Sequence, residues 1–171
     1  MQSYITSGIF VMNMAIKEYL RMDNKYPISK ENLAVKVTAA DWREAVRAAG
    51  HLLEAAGSAT REYTEAMVSA VEELGPYMVI MPKFALAHAA PSEAVIRDDA
   101  SLITLRDPVC FGSENDPVYV ILSICCTDRD SHRESMKRIA RMIMQEGAID
   151  RLASAETAEE VLAVLGDDQS S

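Results

Sequence analysis

The sequence predicts an α/β domain built on a mixed central β-sheet of about five strands, with helices on both faces of the sheet. Segments with the two-residue period of a strand alternate with segments whose apolar side chains recur every three or four residues, as in a helix. Residues 118–126 form an uninterrupted apolar run, which is typical of a central strand covered on both faces. Several predicted strands lie close enough in sequence to form hairpins, so we expect a mixed sheet. A length of 171 residues, 49% of them hydrophobic, suits one compact domain.

The first half of this domain is predicted to contain one strand followed by two helices. Residues 33–37 alternate like a half-buried strand. Asp41 and Glu44 then have the spacing of a helix-capping box, ahead of an apolar face that extends to Gly57. A second helix carries apolar side chains at helical spacing, Tyr63 among them, until Gly75-Pro76, which should end it.

The second half supplies most of the predicted strands and two further helices. One helix is expected to begin at Ser131-His132-Arg133-Glu134, whose S-x-x-E form predicts Ser131 as the N-cap. Thr157-Ala158-Glu159-Glu160 should begin the last helix. The strand candidates are residues 77–81, 84–87, 101–105, 109–111 and 118–126.

Both ends of the chain look different from this central region. We interpret residues 1–27 as an N-terminal extension with the pattern of a short helix, residues 28–166 as the domain, and residues 167–171 as a flexible tail. The apolar stretch 9–16 is broken by Asn13 and is too short to span a bilayer, so we expect neither a membrane helix nor a signal peptide.

Charge and cysteine usage exclude several classes of function. Lys and Arg total 17 against 26 Asp and Glu, and the net charge of −9 disfavours nucleic-acid binding. Three cysteines, without an even-numbered framework, favour reduced thiols in a cytoplasm, where they would act as small buried hydrophobes. The acidic turn Glu114-Asn115-Asp116 lacks the spacing of a calcium loop, and no glycine-rich nucleotide motif occurs. We therefore expect no metal and no cofactor.

His88 is the main candidate for chemistry, because it lies near the end of the apolar run 78–90, where a predicted strand stops. A neutral imidazole nitrogen is a competent nucleophile toward phosphorus, although a strand-end histidine can also be merely hydrogen-bonded. His132 would lie in the first turn of a helix, where backbone N–H groups and the helix dipole favour anions. There it could donate a hydrogen bond to a phosphoryl group, or simply face solvent. His51 is interpreted as structural.

The motifs together resemble the EIIA component of the bacterial sugar phosphotransferase system, in its mannitol/fructose-type branch and closest to the ascorbate-specific EIIA. The resemblance covers roughly residues 28–165. It rests on Gly75-Pro76-Tyr77, the His88 segment with Pro91, Asn115-Asp116-Pro117-Val118, Thr127-Asp128, Ser131-His132 and the residues from Thr157 to Leu162.

The resemblance implies a cytoplasmic phosphotransferase. The protein HPr would donate a phosphoryl group to His88, on Nε2 by analogy, and a cysteine of an EIIB partner would accept it during uptake of ascorbate or a similar carbohydrate. His132 matches a second active-site histidine of the mannitol-type relatives. The partner surface is expected to be an apolar patch that includes Phe84, Leu86, Ala89 and Ala90. A homodimer is also possible.

The segment around His88 departs from the family pattern. Pro-His-Gly is here Ala87-His88-Ala89, and the arginine that commonly follows is Ala90. A Cβ on Ala89 would make a positive φ costly there. These changes leave open a regulatory, EIIA-like binding module without a direct transport role, or a binding protein that has lost phosphorylation.

Overall fold

A computed structural model describes residues 28–166 of the chain, so the predicted extension 1–27 and tail 167–171 lie outside the described residues. A short 3₁₀ helix, Lys30–Asn32, precedes the first strand. The strands are β1 (Leu33–Val37), β2 (Lys83–Ala87), β3 (Asp99–Val109) and β4 (Val118–Cys125). The helices are α1 (Trp42–Ala55), α2 (Arg61–Leu74), α3 (Arg129–Ile143), α4 (Ala148–Ser154) and α5 (Ala158–Leu165).

The sheet is mixed, as predicted, with the spatial order β1-β3-β4-β2. β3 and β4 pair antiparallel with Leu102 opposite Leu122, while β1 is parallel to β3 and β2 is parallel to β4. Parallel pairing brings the carboxyl ends of β2 and β4 to the same edge of the sheet. This edge is where the predicted reactive histidines follow their strands.

The described residues contain four strands rather than the expected five or so. The candidates 101–105 and 109–111 belong to one long strand, β3, whose pairing register shifts between Thr104 and Val109. The candidate 77–81 is not a strand, although its apolar run suggested one. A turn in which the Val79 N–H bonds to the Pro76 carbonyl (3.1 Å) satisfies its backbone instead, and Met81 forms only an isolated bridge.

Helices cover both faces of the sheet, which confirms the prediction. Strand side chains alternate between two cores, so Ala85 and Ile121 pack with α1 and α2 while Leu86 and Leu122 pack with α3, α4 and α5. α4 was not predicted, because its seven residues are too few to show a clear helical period. No helix between residues 28 and 166 is long and apolar enough to cross a membrane.

Two of the predicted helix starts are confirmed and one is wrong. Asp41 accepts the N–H of Glu44 (2.9 Å), while the Glu44 carboxylate accepts the N–H of Ala40 (2.7 Å). Thr157 likewise caps α5 through the N–H of Glu160 (3.2 Å). In α3, however, the N-cap is Asp128 and not Ser131.

Asp128 is the N-cap of α3 because its carboxylate accepts the N–H of Ser131 (2.8 Å). Aspartate is as good an N-cap as serine, and it lies three residues earlier in the chain. Ser131 is therefore the third residue of α3 and His132 the fourth. The backbone N–H of His132 is already bonded to the Asp128 carbonyl (3.1 Å), so only its side chain is available to a ligand.

Candidate active site

His88 directly follows β2, at the edge of the sheet where β2 and β4 both end. Ala87, the last residue of β2, pairs with Ser123 of β4, and β4 leads through a short turn into α3. The imidazoles of His88 and His132 consequently lie with ring centroids 5.5 Å apart and planes tilted by 44°. The topology thus brings together the two histidines that the sequence singled out.

The orientation of the His88 ring is fixed by its own strand. Nδ1 lies 2.8 Å from the carbonyl oxygen of Leu86. Because a carbonyl can only accept a hydrogen bond, Nδ1 must carry the hydrogen. In the neutral ring the lone pair is then on Nε2, which is the form that a nucleophile requires.

Burial also favours the neutral form of His88. Loss of solvent around the half-buried ring is the main cause that lowers the pKa of His88, and proximity to His132 lowers it further. The hydrogen bond to the Leu86 carbonyl opposes this shift without reversing it. Nε2 is therefore unprotonated at neutral pH.

Tyr63 of α2 ties the residue after His88 to the end of β4. Its hydroxyl donates to the carbonyl of Ile124 (2.6 Å) and accepts the backbone N–H of Ala89 (3.0 Å). Burial raises the pKa of Tyr63, so the phenol keeps its proton and its donor role. The sequence predicted Tyr63 only as a member of the apolar face of a helix, and nothing in that pattern indicated where its oxygen would reach.

The expected strain at Ala89 is absent. Lys36 and Lys83 are the only residues other than glycine with positive φ among residues 28–166, so Ala89 adopts a conformation open to any L-residue. The concern that a Cβ here would distort the segment is therefore wrong.

Tyr77 completes the surroundings of His88. Its hydroxyl donates to the His88 carbonyl (3.1 Å), and its ring packs edge-on against the imidazole with centroids 5.3 Å apart. Its part in Gly75-Pro76-Tyr77 was the only sign of this role in the sequence.

A cleft of about 560 Å³ opens beside His88, between α2 and the segment that follows β2. We call it the α2 cleft. Small or apolar side chains make most of its wall, and Leu74 at its rim is 73% exposed. The wall includes Ala66, Ala70, Leu74, Ala89, Ala90 and Pro91.

Only half of the predicted partner patch is at this surface. Ala89 and Ala90 line the α2 cleft, but Phe84 and Leu86 are 0% and 2% exposed, so their assignment to a partner surface is wrong. Alternation along β2 turns both side chains into the core beneath α3, α4 and α5.

The other sequence candidates lie outside this constellation. His51 is exposed on α1. Asp116 accepts the backbone N–H groups of Phe111 (3.0 Å), Gly112 (2.7 Å) and Ser113 (2.8 Å), so its carboxylate stabilises a turn. Residues 28–166 contain no group of three or more His, Cys, Asp or Glu side chains arranged to hold a metal ion.

Comparison with known proteins agrees with this geometry. The family model described as "Phosphoenolpyruvate-dependent sugar phosphotransferase system, EIIA 2" matches residues 27–167. A relative from Salmonella choleraesuis, named ascorbate-specific PTS system EIIA component, is 35% identical over 136 residues, which are 78% of this chain and 88% of the relative.

Solved structures show the same fold. A PTS IIA crystal structure from Streptococcus mutans has a TM-score of 0.74 and 34% identity, covering 80% of this chain and 87% of the other. The mannitol enzyme IIA of Escherichia coli, solved in complex with phosphorylated enzyme IIB, has a TM-score of 0.73 and 25% identity. That match covers 81% of this chain and 96% of the other.

Proposed function

This chain belongs to the EIIA 2 family of the phosphoenolpyruvate-dependent sugar phosphotransferase system, and from that membership we propose that it is a phosphocarrier that accepts a phosphoryl group on His88. One observation carries the assignment to this residue. The Nδ1–H of His88 is bonded to the Leu86 carbonyl, which leaves Nε2 as the free nucleophilic nitrogen beside a second imidazole.

The transfer step needs no group beyond the two proteins. The Nε2 lone pair of His88 attacks the phosphorus atom of a phosphohistidine on the donor, and a new P–N bond forms as the old one breaks. The bonding electrons return to the donor nitrogen. The His88 ring gains positive charge, which its Nδ1–H shares with the Leu86 carbonyl (2.8 Å). In the second transfer the thiolate of the EIIB cysteine attacks the phosphorus atom, a P–S bond forms as the P–N bond to His88 breaks, and the bonding electrons return to Nε2 of His88.

His132 is proposed to stabilise the phosphoryl group in flight. Its ring centroid lies 5.5 Å from that of His88, so a phosphoryl group bound to His88 would lie beside the His132 ring. A ring N–H can donate to a phosphoryl oxygen and so stabilise the charge that is spread over these oxygens in the transition state. His132 is thus assigned to catalysis and His88 to the covalent intermediate.

Both partners of the relay are proposed to be proteins. HPr would be the phosphoryl donor, and a cysteine of an EIIB component would be the acceptor. Support for an EIIB partner comes from the mannitol enzyme IIA, which was solved with its phosphorylated enzyme IIB. The α2 cleft, with Ala89 and Ala90 next to His88, is the apolar surface on which we expect either partner to dock.

Ascorbate, or a carbohydrate close to it, is the proposed cargo, because relatives with 34–35% identity are named ascorbate-specific EIIA components. We expect the protein to act in the cytoplasm, where such relays operate. The regulatory alternative depended on the changed segment around His88. Ala89 adds no backbone strain to this segment, so the alternative now rests on Ala87 and the exposed Ala90, which replace a proline and an arginine of the family pattern.

Intact-protein mass spectrometry tests this proposal. Incubation with phosphoenolpyruvate, Enzyme I and HPr should add an acid-labile ~80 Da to the wild type and nothing to His88→Ala. His132→Ala should accept the group about 10²-fold more slowly, while His51→Ala, the third histidine, should match the wild type. An unmodified wild type would refute the phosphocarrier assignment. A phosphorylated protein that passes the group to no EIIB component would favour the regulatory module.

A further inference from the structure

The half of α3 that carries His132 is not held by hydrophobic packing. Ile139 and Met142 are the only buried residues of this fifteen-residue helix, and both lie in its C-terminal half. His132 and Ser131 are half-buried, and the residues before them are exposed. Hydrophobic packing begins only with the half-buried Met136, one turn after His132, so polar contacts at the start of α3 help to hold the His132 ring in place.

Asp98 makes most of those contacts. One of its carboxylate oxygens accepts the backbone N–H of Thr127 (2.6 Å) and the Thr127 hydroxyl (2.9 Å). The Ser131 side chain faces the same carboxylate, and its hydrogen bonding helps to lower the pKa of Asp98. Thr127 precedes the N-cap of α3, and Ser131 directly precedes His132. A single side chain thus binds both ends of the first helical turn.

Asp98 itself belongs to a firmly held part of the chain. The preceding residue, Arg97, donates its backbone N–H to the Ser58 carbonyl (3.2 Å). The following residue, Asp99, begins β3 and accepts the side-chain amide of Asn32 (3.0 Å). The carboxylate is therefore attached to the sheet rather than to a free loop.

The charge of Asp98 suits this role. Partial burial is the largest single influence on the pKa of Asp98 and acts to raise it, but the hydrogen bonds from Thr127 and Ser131 outweigh it and lower the pKa overall. The side chain is a carboxylate at neutral pH, and hydrogen bonds to a charged acceptor are stronger than those to a neutral one.

We propose that Asp98 is a positioning residue for phosphoryl transfer, whose carboxylate holds the first turn of α3 and so keeps His132 within reach of the group on His88. The role of His132 in this statement rests on the proposed function. The attachment of α3 through Asp98 does not rest on it, so the attachment and the role of His132 can be tested separately.

Phosphoryl transfer from phospho-HPr is the first test. Asp98→Ala should slow it about tenfold, which corresponds to about 1.4 kcal/mol, because the start of α3 loses both hydrogen bonds from Thr127 and the contact with Ser131. Asp98→Asn keeps the shape and an acceptor oxygen for the Thr127 N–H, so it should slow transfer only about threefold. Asp130→Ala is the matched control. Asp130 carries the same charge but pairs with Arg133 of its own helix instead of bonding to Thr127, so its loss should leave the rate unchanged.

A double variant separates positioning from general damage. If Asp98 acts through His132, Asp98→Ala combined with His132→Ala should be no slower than His132→Ala alone. Equal slowing by Asp98→Ala in the presence and absence of His132, or no slowing at all in the single variant, would overturn the proposal.

The NMR signals of the His132 ring provide a readout that needs no phosphoryl donor. In the unphosphorylated protein, Asp98→Ala should shift and broaden these signals and weaken the contacts between the two rings, and Asp98→Asn should do so less. If the wild type is not phosphorylated but the His132 signals respond in this way, the proposed function fails while the anchoring of α3 stands. Unchanged His132 signals in Asp98→Ala would overturn the anchoring itself.

Discussion

Replacement of Tyr63 by phenylalanine should weaken the protein far more than the loss of one oxygen atom suggests. The hydroxyl joins two chain segments, since it donates to the Ile124 carbonyl (2.6 Å) and accepts the Ala89 N–H (3.0 Å). The ring of Tyr63 is 1% exposed, so water cannot easily replace the missing oxygen. The phenylalanine variant keeps the packing and leaves a donor and an acceptor without partners.

The magnitude follows from those two groups. Each buried polar group that loses its partner costs about 1–3 kcal/mol, and the Ala89 N–H is less buried than the Ile124 carbonyl. The free energy of unfolding should therefore fall by about 2–4 kcal/mol, as measured by urea denaturation of both proteins. Phosphoryl transfer should slow as well, because Ala89 is the immediate neighbour of His88.

Tyr77→Phe is the matched control for this experiment. Tyr77 also donates one hydrogen bond near the site, to the His88 carbonyl (3.1 Å), but its side chain is 36% exposed and water can take its place. Its loss should cost less than about 1 kcal/mol. A Tyr63→Phe variant no less stable than Tyr77→Phe would refute the view that the Tyr63 hydroxyl holds the two segments together.

Three further predictions concern other groups. The pKa of His88 lies below its ordinary 6.5, so on acidification the unfolded state takes up a proton before the folded state does, and the free energy of unfolding should fall as the pH drops below 6.5. This fall should be smaller in His88→Ala. An identical pH profile for the two proteins would count against the lowered pKa. Gly50→Ala should destabilise the protein by about 1–3 kcal/mol in urea, because its Cβ would lie 2.5 Å from the Thr64 hydroxyl oxygen; an unchanged midpoint would mean that α1 and α2 separate freely. Of the three thiols, only exposed Cys110 should react rapidly with a disulfide reagent at pH 8, since burial raises the pKa of Cys125 to about 12 and Cys126 is also buried; rapid reaction of a second thiol would contradict that burial.

Most of the fold could be predicted because its signals are local. Neighbouring residues formed the apolar run that predicted β4, and the closely spaced pair Asp41 and Glu44 predicted the start of α1. Both predictions were correct. The start of α3 was harder, because Asp128 and Ser131 are both good caps and local sequence does not rank them. Two predicted strands form the single strand β3 because both pair with β4, with a register shift between them. Periodicity along one segment carries no information about such pairing.

The two histidines of the candidate site could be predicted from the sequence, whereas the residues that support them could not. His88 and His132 are conspicuous as lone histidines next to predicted element ends. Their proximity depends on the parallel pairing of β2 with β4, which is a tertiary choice. Tyr63 contacts Ala89, which lies 26 positions later in the chain, and Asp98 contacts Thr127, which lies 29 positions later. No spacing rule predicts such long-range contacts. Phe84 and Leu86 were wrongly assigned to a partner surface, because apolar residues of a strand next to the site can face the core instead.

The most direct test of the account is the identity of the phosphorylated nitrogen. A long-range ¹H–¹⁵N spectrum of the histidine rings, recorded before and after reaction with phospho-HPr, distinguishes the two nitrogens of each ring. We expect phosphorylation to change the ¹⁵N signal of Nε2 of His88, while Nδ1 retains the hydrogen that it donates to the Leu86 carbonyl. A phosphoryl group on Nδ1 of His88, or on any other residue, would contradict it.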